Sequence, residues 1–376
     1  MTELRTADRG DIRDLNILAV INLMRRGGST TRATIARETG LSAPTVSAVV
    51  ATLSRAGLVD VSGAGPATGG RRGELIVFRP DAKLVLAIDL SCEPRRCALL
   101  DLTKQVVPGS VADLPEEALT TPEHLARWVA DRLRSCPQVV GIGVAAPGVT
   151  NSNEGIIEWA PSLGWRDARV KADLQAAAPG LAVTVENDLN LAALAEYALG
   201  EAGWTDLAML GLRGGFGAGV ILGGKLHRGV NFAAGELGYL PAPFGQPGTL
   251  DFGALEATLF SMLPDRGAPC LEPGQNRTPA PAGPVLDAAD VTRVVDILAY
   301  GSFALAVVLD VSGIVLGEEL LILVPNLDRV LEQRLAAALP HPPRVIPSFL
   351  GAFGTLQGAA TAVQQEIETD VRRLLS

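Results

Sequence analysis

The chain is poor in the residues that build metal and disulfide scaffolds. Its four cysteines (Cys92, Cys97, Cys136, Cys270) and three histidines (His124, His227, His341) are scattered over 376 residues. The one close spacing, Cys92-x4-Cys97, has no second pair beside it, which argues against a zinc module and against a disulfide framework. A reducing cytoplasm is the expected compartment. Lysine is scarce too, at four against 28 arginines; in a chain rich in Ala and Gly this reflects base composition, not mechanism. A membrane span needs about 20 apolar residues. The longest apolar run, Ile297 to Leu309, has 13 between Asp296 and Asp310 and reads as a buried core helix, so no membrane partner is expected. The N-terminus carries Glu3, Asp8, Asp11 and Asp14 and no apolar h-region, so no secretory leader is expected.

What is present is enough for a folded, multidomain chain. Hydrophobic residues make up 48% and charged residues 19%, which excludes wholesale disorder. The length fits two or three domains of roughly 100–200 residues each. The net charge of −9 alone argues against nucleic acid, but it is unevenly spread. Residues 1–80 carry 11 Arg against 7 acidic residues, a balance of +4; the remainder carries 21 basic against 34 acidic, a balance of −13. A locally basic head on an acidic body fits a small DNA-contacting module joined to a body that binds something else.

Local patterns support that division. Residues 12–26 have a wide apolar helical face, ended by Gly27 and Gly28; 31–38 and 43–56 read as two short helices split by Thr39-Gly40-Leu41-Ser42. Leu58 to Ser62 and Glu74 to Arg79 read as two strands around a Gly-rich turn. Three helices and a hairpin make a winged helix-turn-helix. Ala36 is small where two helices cross, Gly40 tolerates positive φ in the turn, and Val46 packs inward from the second helix. Ser42 is placed to cap that helix, and Pro44 in its first turn removes only an unpaired N–H. Thr31, Arg32, Ser42, Ala43, Thr45 and Ser47 are then the candidate DNA contacts, with Ala48 beside them. Arg71 and Arg72 at the wing tip are placed to reach phosphates or a minor groove. The alternative is a three-helix packing motif used for protein contacts.

Pro80-Asp81 marks the boundary of the head. The expected units are 1–80, 81–185 and 186–376. Short apolar strands alternate with helical stretches from Leu84 onward, indicating an α/β body. The stretch 264–284 holds six prolines and three glycines and reads as a long surface loop. Directly after the apolar strand Leu181 to Val185 come Glu186-Asn187-Asp188. An amide and a carboxylate at a strand end bind neighbouring hydroxyls well; in a kinase the same Asp would be the general base. The alternative is a helix cap for 189–199. The Gly-rich segment Leu212 to Gly219 is a candidate phosphate cradle, a weak signal since tight turns need glycine as well. Glu236 and Glu256 add two carboxylates, and if they converge with Asp188 a polyhydroxyl ligand satisfies the pocket.

In the order of these pieces the chain resembles the ROK family (repressors, open reading frames, kinases), specifically its sugar-responsive repressors. The resemblance runs from about residue 12 to 365. It rests on the head, Ala87-Ile-Asp-Leu90, Gly141-Ile-Gly-Val-Ala-Ala-Pro-Gly148, Glu186-Asn-Asp188, the 212–239 block and Leu350 to Ala360. It implies an α/β, two-lobed, actin-like ATPase (ribonuclease H-like) body behind the winged helix-turn-helix, with the C-terminal helix returning to the first lobe, and dimers or tetramers. It places sugar contacts at Asn187, Asp188, Glu236, Tyr239 and Glu256. Tyr239 replaces a histidine that in the family also ligates zinc, and Gly248 to Glu256 lacks the family's cysteines, so no metal and no cofactor is expected. Family kinases open the body with Asp-x-Gly-Gly-Thr; here Asp89 is followed by Leu-Ser-Cys-Glu-Pro, and Glu93 would repel a phosphate, so no catalysis is expected. The resulting reading is a DNA-binding repressor that takes a double-stranded operator and a sugar effector. The alternatives are an ATP-dependent sugar kinase and a regulator that has exchanged sugar for another partner.

Overall fold

A computed structural model describes residues 9–64, 74–213, 215–241, 254–262 and 286–375. The wing tip with Arg71 and Arg72, and the proline-rich stretch 264–284, lie outside the described residues.

The head runs α1 (Arg9–Gly27), β1 (Ser29–Thr31), α2 (Arg32–Thr39), α3 (Ala43–Arg55), β2 (Val59–Ala64) and β3 (Glu74–Phe78). Gly28 ends α1 with φ 67, its N–H donating to the Met24 carbonyl at 2.8 Å, a left-handed stop that glycine makes without steric cost. Gly40 does the same after α2, at φ 72. Ser42 caps α3, its hydroxyl accepting from the Thr45 N–H at 3.4 Å, and Pro44 sits in the first turn. Two details differ from the sequence reading. The sheet has three strands, in the order β1-β3-β2. Thr31 ends β1 instead of opening a helix, and its hydroxyl caps α2 by accepting from the Thr34 N–H at 3.3 Å. Ile17, Ile21, Ile35, Val46, Val50 and Leu53 are fully buried, with Ala36 packed against them.

The first lobe contains β4 (Leu84–Asp89), β5 (Arg96–Leu100), β6 (Ala112–Asp113), α4 (Pro122–Leu133), β7 (Val139–Ala146), β8 (Val149–Asn151), β9 (Ile156–Ala160), β10 (Trp165–Ala168), α5 (Val170–Ala177) and β11 (Ala182–Asn187). Its main sheet has the order β11-β7-β4-β5-β6, with β11, β7 and β4 parallel. β4 and β7 are buried throughout, which is why they read as unbroken apolar runs rather than alternating ones. β8, β9 and β10 form a separate antiparallel sheet that the sequence reading passed over.

The second lobe contains α6 (Asp188–Leu199), β12 (Leu207–Leu212), β13 (Phe216–Leu222), β14 (Lys225–Leu226), α7 (Ala254–Met262), α8 (Ala288–Leu309), β15 (Gly313–Leu316), α9 (Glu318–Leu323), α10 (Leu327–Ala338), β16 (Arg344–Pro347), α11 (Gly354–Glu368) and α12 (Arg372–Leu375). Its five-stranded sheet, β14-β13-β12-β15-β16, repeats the plan of the first. The run Ile297 to Leu309 lies in α8, which buries Val294, Ile297, Leu298 and Leu305 but leaves Phe303, Val307 and Val308 exposed. It is a core helix on one side only. By length and composition α8 also meets the test for a membrane span.

α11 crosses back to the first sheet and lies against α6, β7 and β4. Glycines permit this. A Cβ on Gly358 would stand 1.9 Å from the Leu191 carbonyl oxygen, and one on Gly143 would stand 2.7 Å from that of Ala359. Beyond α11, Val371 and Leu374 share a core with Ile17 and Ile21 of the head. Arg25 of α1 pairs with Glu368 at the end of α11 at 2.5 Å.

Candidate functional site

At the C-terminal end of β11, the switch from strand to helix puts Asn187 and Asp188 where open α/β sheets bind ligands. Asn187 has two tasks. Its Oδ1 caps α6 by accepting from the Asn190 N–H at 3.1 Å, and its Nδ2 donates to the Gly148 carbonyl at 3.1 Å. The helix-cap reading therefore holds for Asn187, while Asp188 is free of it: Asp188 is 3% exposed and its Oδ2 has no hydrogen-bond partner. Burial pushes its carboxyl up to about 6, with Arg213 opposing and Asp89 adding to the shift.

A cavity of about 260 Å³ opens in front of Asp188. Its wall includes Gly148 and Val149 at β8, Trp159 of β9 and Phe216 to Ala218 of β13, with Phe232, Glu236, Tyr239 and Glu256 around them. Asn187, Asp188, Glu236, Tyr239 and Glu256, far apart in sequence, all line it. Glu256 reaches in over Gly215 and Gly238, where a Cβ would stand 2.9 and 2.3 Å from its Oε2, and that oxygen accepts from the Phe216 N–H at 2.9 Å. Burial, reinforced by Asp188 and Glu256, pushes Glu236 up to about 7. Burial and the same glutamates, Glu236 and Glu256, raise the Tyr239 hydroxyl. Tyr239 stands at the rim, 58% exposed.

Among the described glycines of the 212–219 segment, Gly219 has a packing task. Gly219 lets α6 approach β13: a Cβ there would stand 2.0 Å from the Leu189 carbonyl oxygen. Gly235, at φ 86, presses on the Ala218 carbonyl, 1.8 Å from where its Cβ would stand. The residue of that segment with a chemical task is Arg213, which the sequence reading missed. Its Nη1 lies 3.2 Å from Asp89 Oδ2 and 3.5 Å from Ser91 Oγ, joining the end of β12 in one lobe to the end of β4 in the other. Burial acts to lower its pKa, but Asp89, Glu319 and Asp188 outweigh burial and hold the guanidinium charged. Asp89 is fully buried and also accepts from the Ser91 N–H at 3.0 Å and the Ser91 hydroxyl at 2.6 Å. Glu93, expected to repel a phosphate, pairs with Arg95.

On the head, Ser42, Ala43, Ser47 and Ala48 are exposed on one face of α3, and Thr45 is half-buried with its hydroxyl 2.8 Å from that of Ser42. Thr31 is half-buried at its cap, and Arg32 pairs with Glu74. Arg25, Arg37 and Arg79 are also ion-paired, with Glu368, with Glu38, and with Asp60 and Asp81. The charge balance of the head is thus partly neutralised within the molecule.

Two family models match successive parts of the chain. The head, residues 11–72, matches the MarR family. The xylose repressor of Bacillus subtilis (strain 168) is 28% identical over 247 residues, 64% of each chain; the chain spans just under two thirds of the length of the curated relatives it matches. A solved ROK family transcriptional regulator, a homolog of the E. coli MLC protein, superimposes with a TM-score of 0.73 over 97% of this chain and 99% of its own, at 20% identity. A ROK family glucokinase from Streptomyces griseus, solved with glucose and AMPPNP, covers 75% of this chain and 99% of its own with a TM-score of 0.56 at 21% identity. The architecture is a winged helix-turn-helix on a two-lobed actin-like ATPase body, and with residues 85–272, half of its length, matching the ROK family, the chain belongs to the ROK family.

Proposed function

We propose that this chain is a DNA-binding transcriptional regulator, a repressor, whose body senses a sugar. The observation that carries this is the continuity from cavity to head. Asp188 opens α6, α6 lies on α11 at the Leu191–Gly358 contact, and α11 ends in the ion pair with Arg25 of the head. A ligand that binds one arrangement of the lobes better shifts the population toward it, and α11 transmits the change. The exposed small side chains of α3 meet base edges, and Arg71 and Arg72 meet the backbone. Two heads in a dimer bind a pseudo-palindrome with half-sites about 34–36 Å apart, or a multiple of that. The test is a mobility shift on the chain's own promoter region across a sugar panel. Retardation that weakens steeply with salt and responds to a sugar supports the reading. No retardation in any condition overturns it. Retardation that no sugar changes removes the sensor and leaves a regulator with another partner.

A second reading, a sugar kinase, is favoured by the place of Asp188, a carboxylate at the floor of the cavity where a general base stands. The state of Asp89 weighs against it. Phosphoryl transfer needs charge neutralisation around the nucleotide, and here Arg213 already pairs with the Asp89 carboxylate while no glycine follows Asp89. ADP release with common hexoses, abolished in Asp188→Asn, would establish the kinase.

A further inference from the structure

Among the described residues the lining of the cavity is acidic without a counterweight. Asp188, Glu236 and Glu256 line it, and among the described residues no Lys, Arg or His does. The nearby guanidinium groups are engaged elsewhere: Arg213 with Asp89, Arg228 with Glu186 at 2.5 Å, and Arg166 over the Trp159 ring at 4.2 Å. Where the family resemblance implies a zinc-ligating histidine, Tyr239 brings a neutral phenol.

Two further observations point to what fills this space. Asp188 lines the cavity, is 3% exposed, and has an Oδ2 without a hydrogen-bond partner. Glu236 has no side-chain hydrogen bond among the described residues, while Glu256 already accepts from the Phe216 N–H. A neutral polyol offers hydroxyl donors to these oxygens but no charge, and buried anions left without a countercharge are costly. Four aromatic residues, Trp159, Phe216, Phe232 and Tyr239, line the same cavity. Carboxylates combined with aromatic faces suit an ammonium group, which brings three N–H donors and a positive charge and is attracted to ring faces.

We propose that the ligand of this cavity is an amino sugar with a free, protonated primary amine, its ammonium set against Glu236 and its hydroxyls on Asn187 and Asp188. The proposal rests on the sugar-sensing reading and names its ligand class. The test is calorimetric titration of the full-length chain at pH 7 with glucosamine, galactosamine and mannosamine, each beside its N-acetyl derivative and its hydroxyl parent, with xylose as a further neutral sugar. At least one free amine is expected to bind tenfold or more tighter than both its own derivative and its own parent, a difference of about 1.4 kcal/mol. In Glu236→Gln that ratio is expected to fall below about threefold. A neutral or N-acetylated sugar binding as tightly as any amine overturns the proposal and leaves the sensor reading standing. Persistence of the full ratio in Glu236→Gln overturns the placement of the ammonium. No binding of any sugar by a chain that still retards its promoter overturns the sensor reading and the proposal together. The wild-type ratio decides the ligand class even if Glu236→Gln does not fold.

Discussion

Asp89 and Asp188 are two buried carboxylates at the ends of two parallel strands of one sheet, β4 and β11, on either side of β7. They differ in what meets them. Asp89 accepts from the Ser91 N–H, the Ser91 hydroxyl and the Arg213 guanidinium. Asp188 faces a cavity with one oxygen unpartnered. A buried charge that is fully hydrogen-bonded and paired belongs to the architecture; one with an oxygen left over offers a place for a ligand's donor. In this chain Asp89 is met by an internal cation, and Asp188 lines a cavity.

The comparison breaks most visibly at Arg213. Arg213→Ala removes the cation that pairs with Asp89 and withdraws attraction from Asp188 and Glu319 as well. The expected loss is about 3–5 kcal/mol, the range for breaking a buried pair from one side, read as a lower urea midpoint with an unchanged slope. A loss below about 1 kcal/mol would mean the bridge is exposed to water in solution.

Next in size is a pair of substitutions expected to move in opposite directions. Asp89→Asn leaves Arg213 with a neutral partner and lowers stability by about 1.5–3 kcal/mol at pH 7.5, as for the loss of a charged hydrogen bond. Asp188→Asn raises it. The folded Asp188 carboxyl titrates at about 6, above its ordinary 3.8, so the folded state holds the charged form poorly. That group therefore lowers stability as pH rises from about 4 through 6. Replacing it removes a penalty on the order of 2 kcal/mol at pH 7.5 and almost none at pH 4. Urea titrations at both pH values check the signs, and Asp188→Asn is expected to lose ligand binding at the same time. Destabilisation by Asp188→Asn at pH 7.5 would show that the two carboxylates are equivalent after all.

Much of this contrast was legible in the sequence, but unevenly. Gly40, Ser42, Pro44 and Val46 specify the head through local geometry, because caps and left-handed turns depend on the residue itself. β4 and β7 were readable because a strand buried on both faces is a continuous apolar run. Five of the residues lining the cavity, Asn187, Asp188, Glu236, Tyr239 and Glu256, came from the family resemblance. Trp159 and Phe232 did not, because a cavity wall is a product of tertiary placement: Trp159 sits in a small antiparallel sheet with no strong alternation. Arg213 was hidden for a different reason. Arginines are many and mostly solvated, so nothing in the sequence separates one that bridges two lobes from one that faces water. The same holds for Arg32, whose Glu74 partner lies 42 residues away. Nor does the sequence show that Gly219 serves the close approach of α6 to β13, since that contact joins separate elements.

The smallest expected effect sharpens the contrast by asking which end of the cleft speaks to the head. The Arg25–Glu368 pair is partly buried, its side chains 11% and 27% exposed, so Glu368→Gln costs only about 1 kcal/mol of stability. Lys104 stands in the same field: burial lowers its pKa, Arg25 adds to that, and Glu368 opposes it. Removing the carboxylate leaves two cations facing each other at the joint between α11 and α1. If changes at Asp188 travel through α11, Glu368→Gln keeps sugar affinity and ligand-free operator affinity within about threefold, a shift below 1 kcal/mol, yet shrinks the change in operator affinity that the sugar produces. Arg25→Gln alone and the double variant complete a cycle that isolates the pair. An undiminished sugar response in all three variants would place the signal elsewhere, and the Arg213 bridge, which also joins the lobes, would be the next element to test.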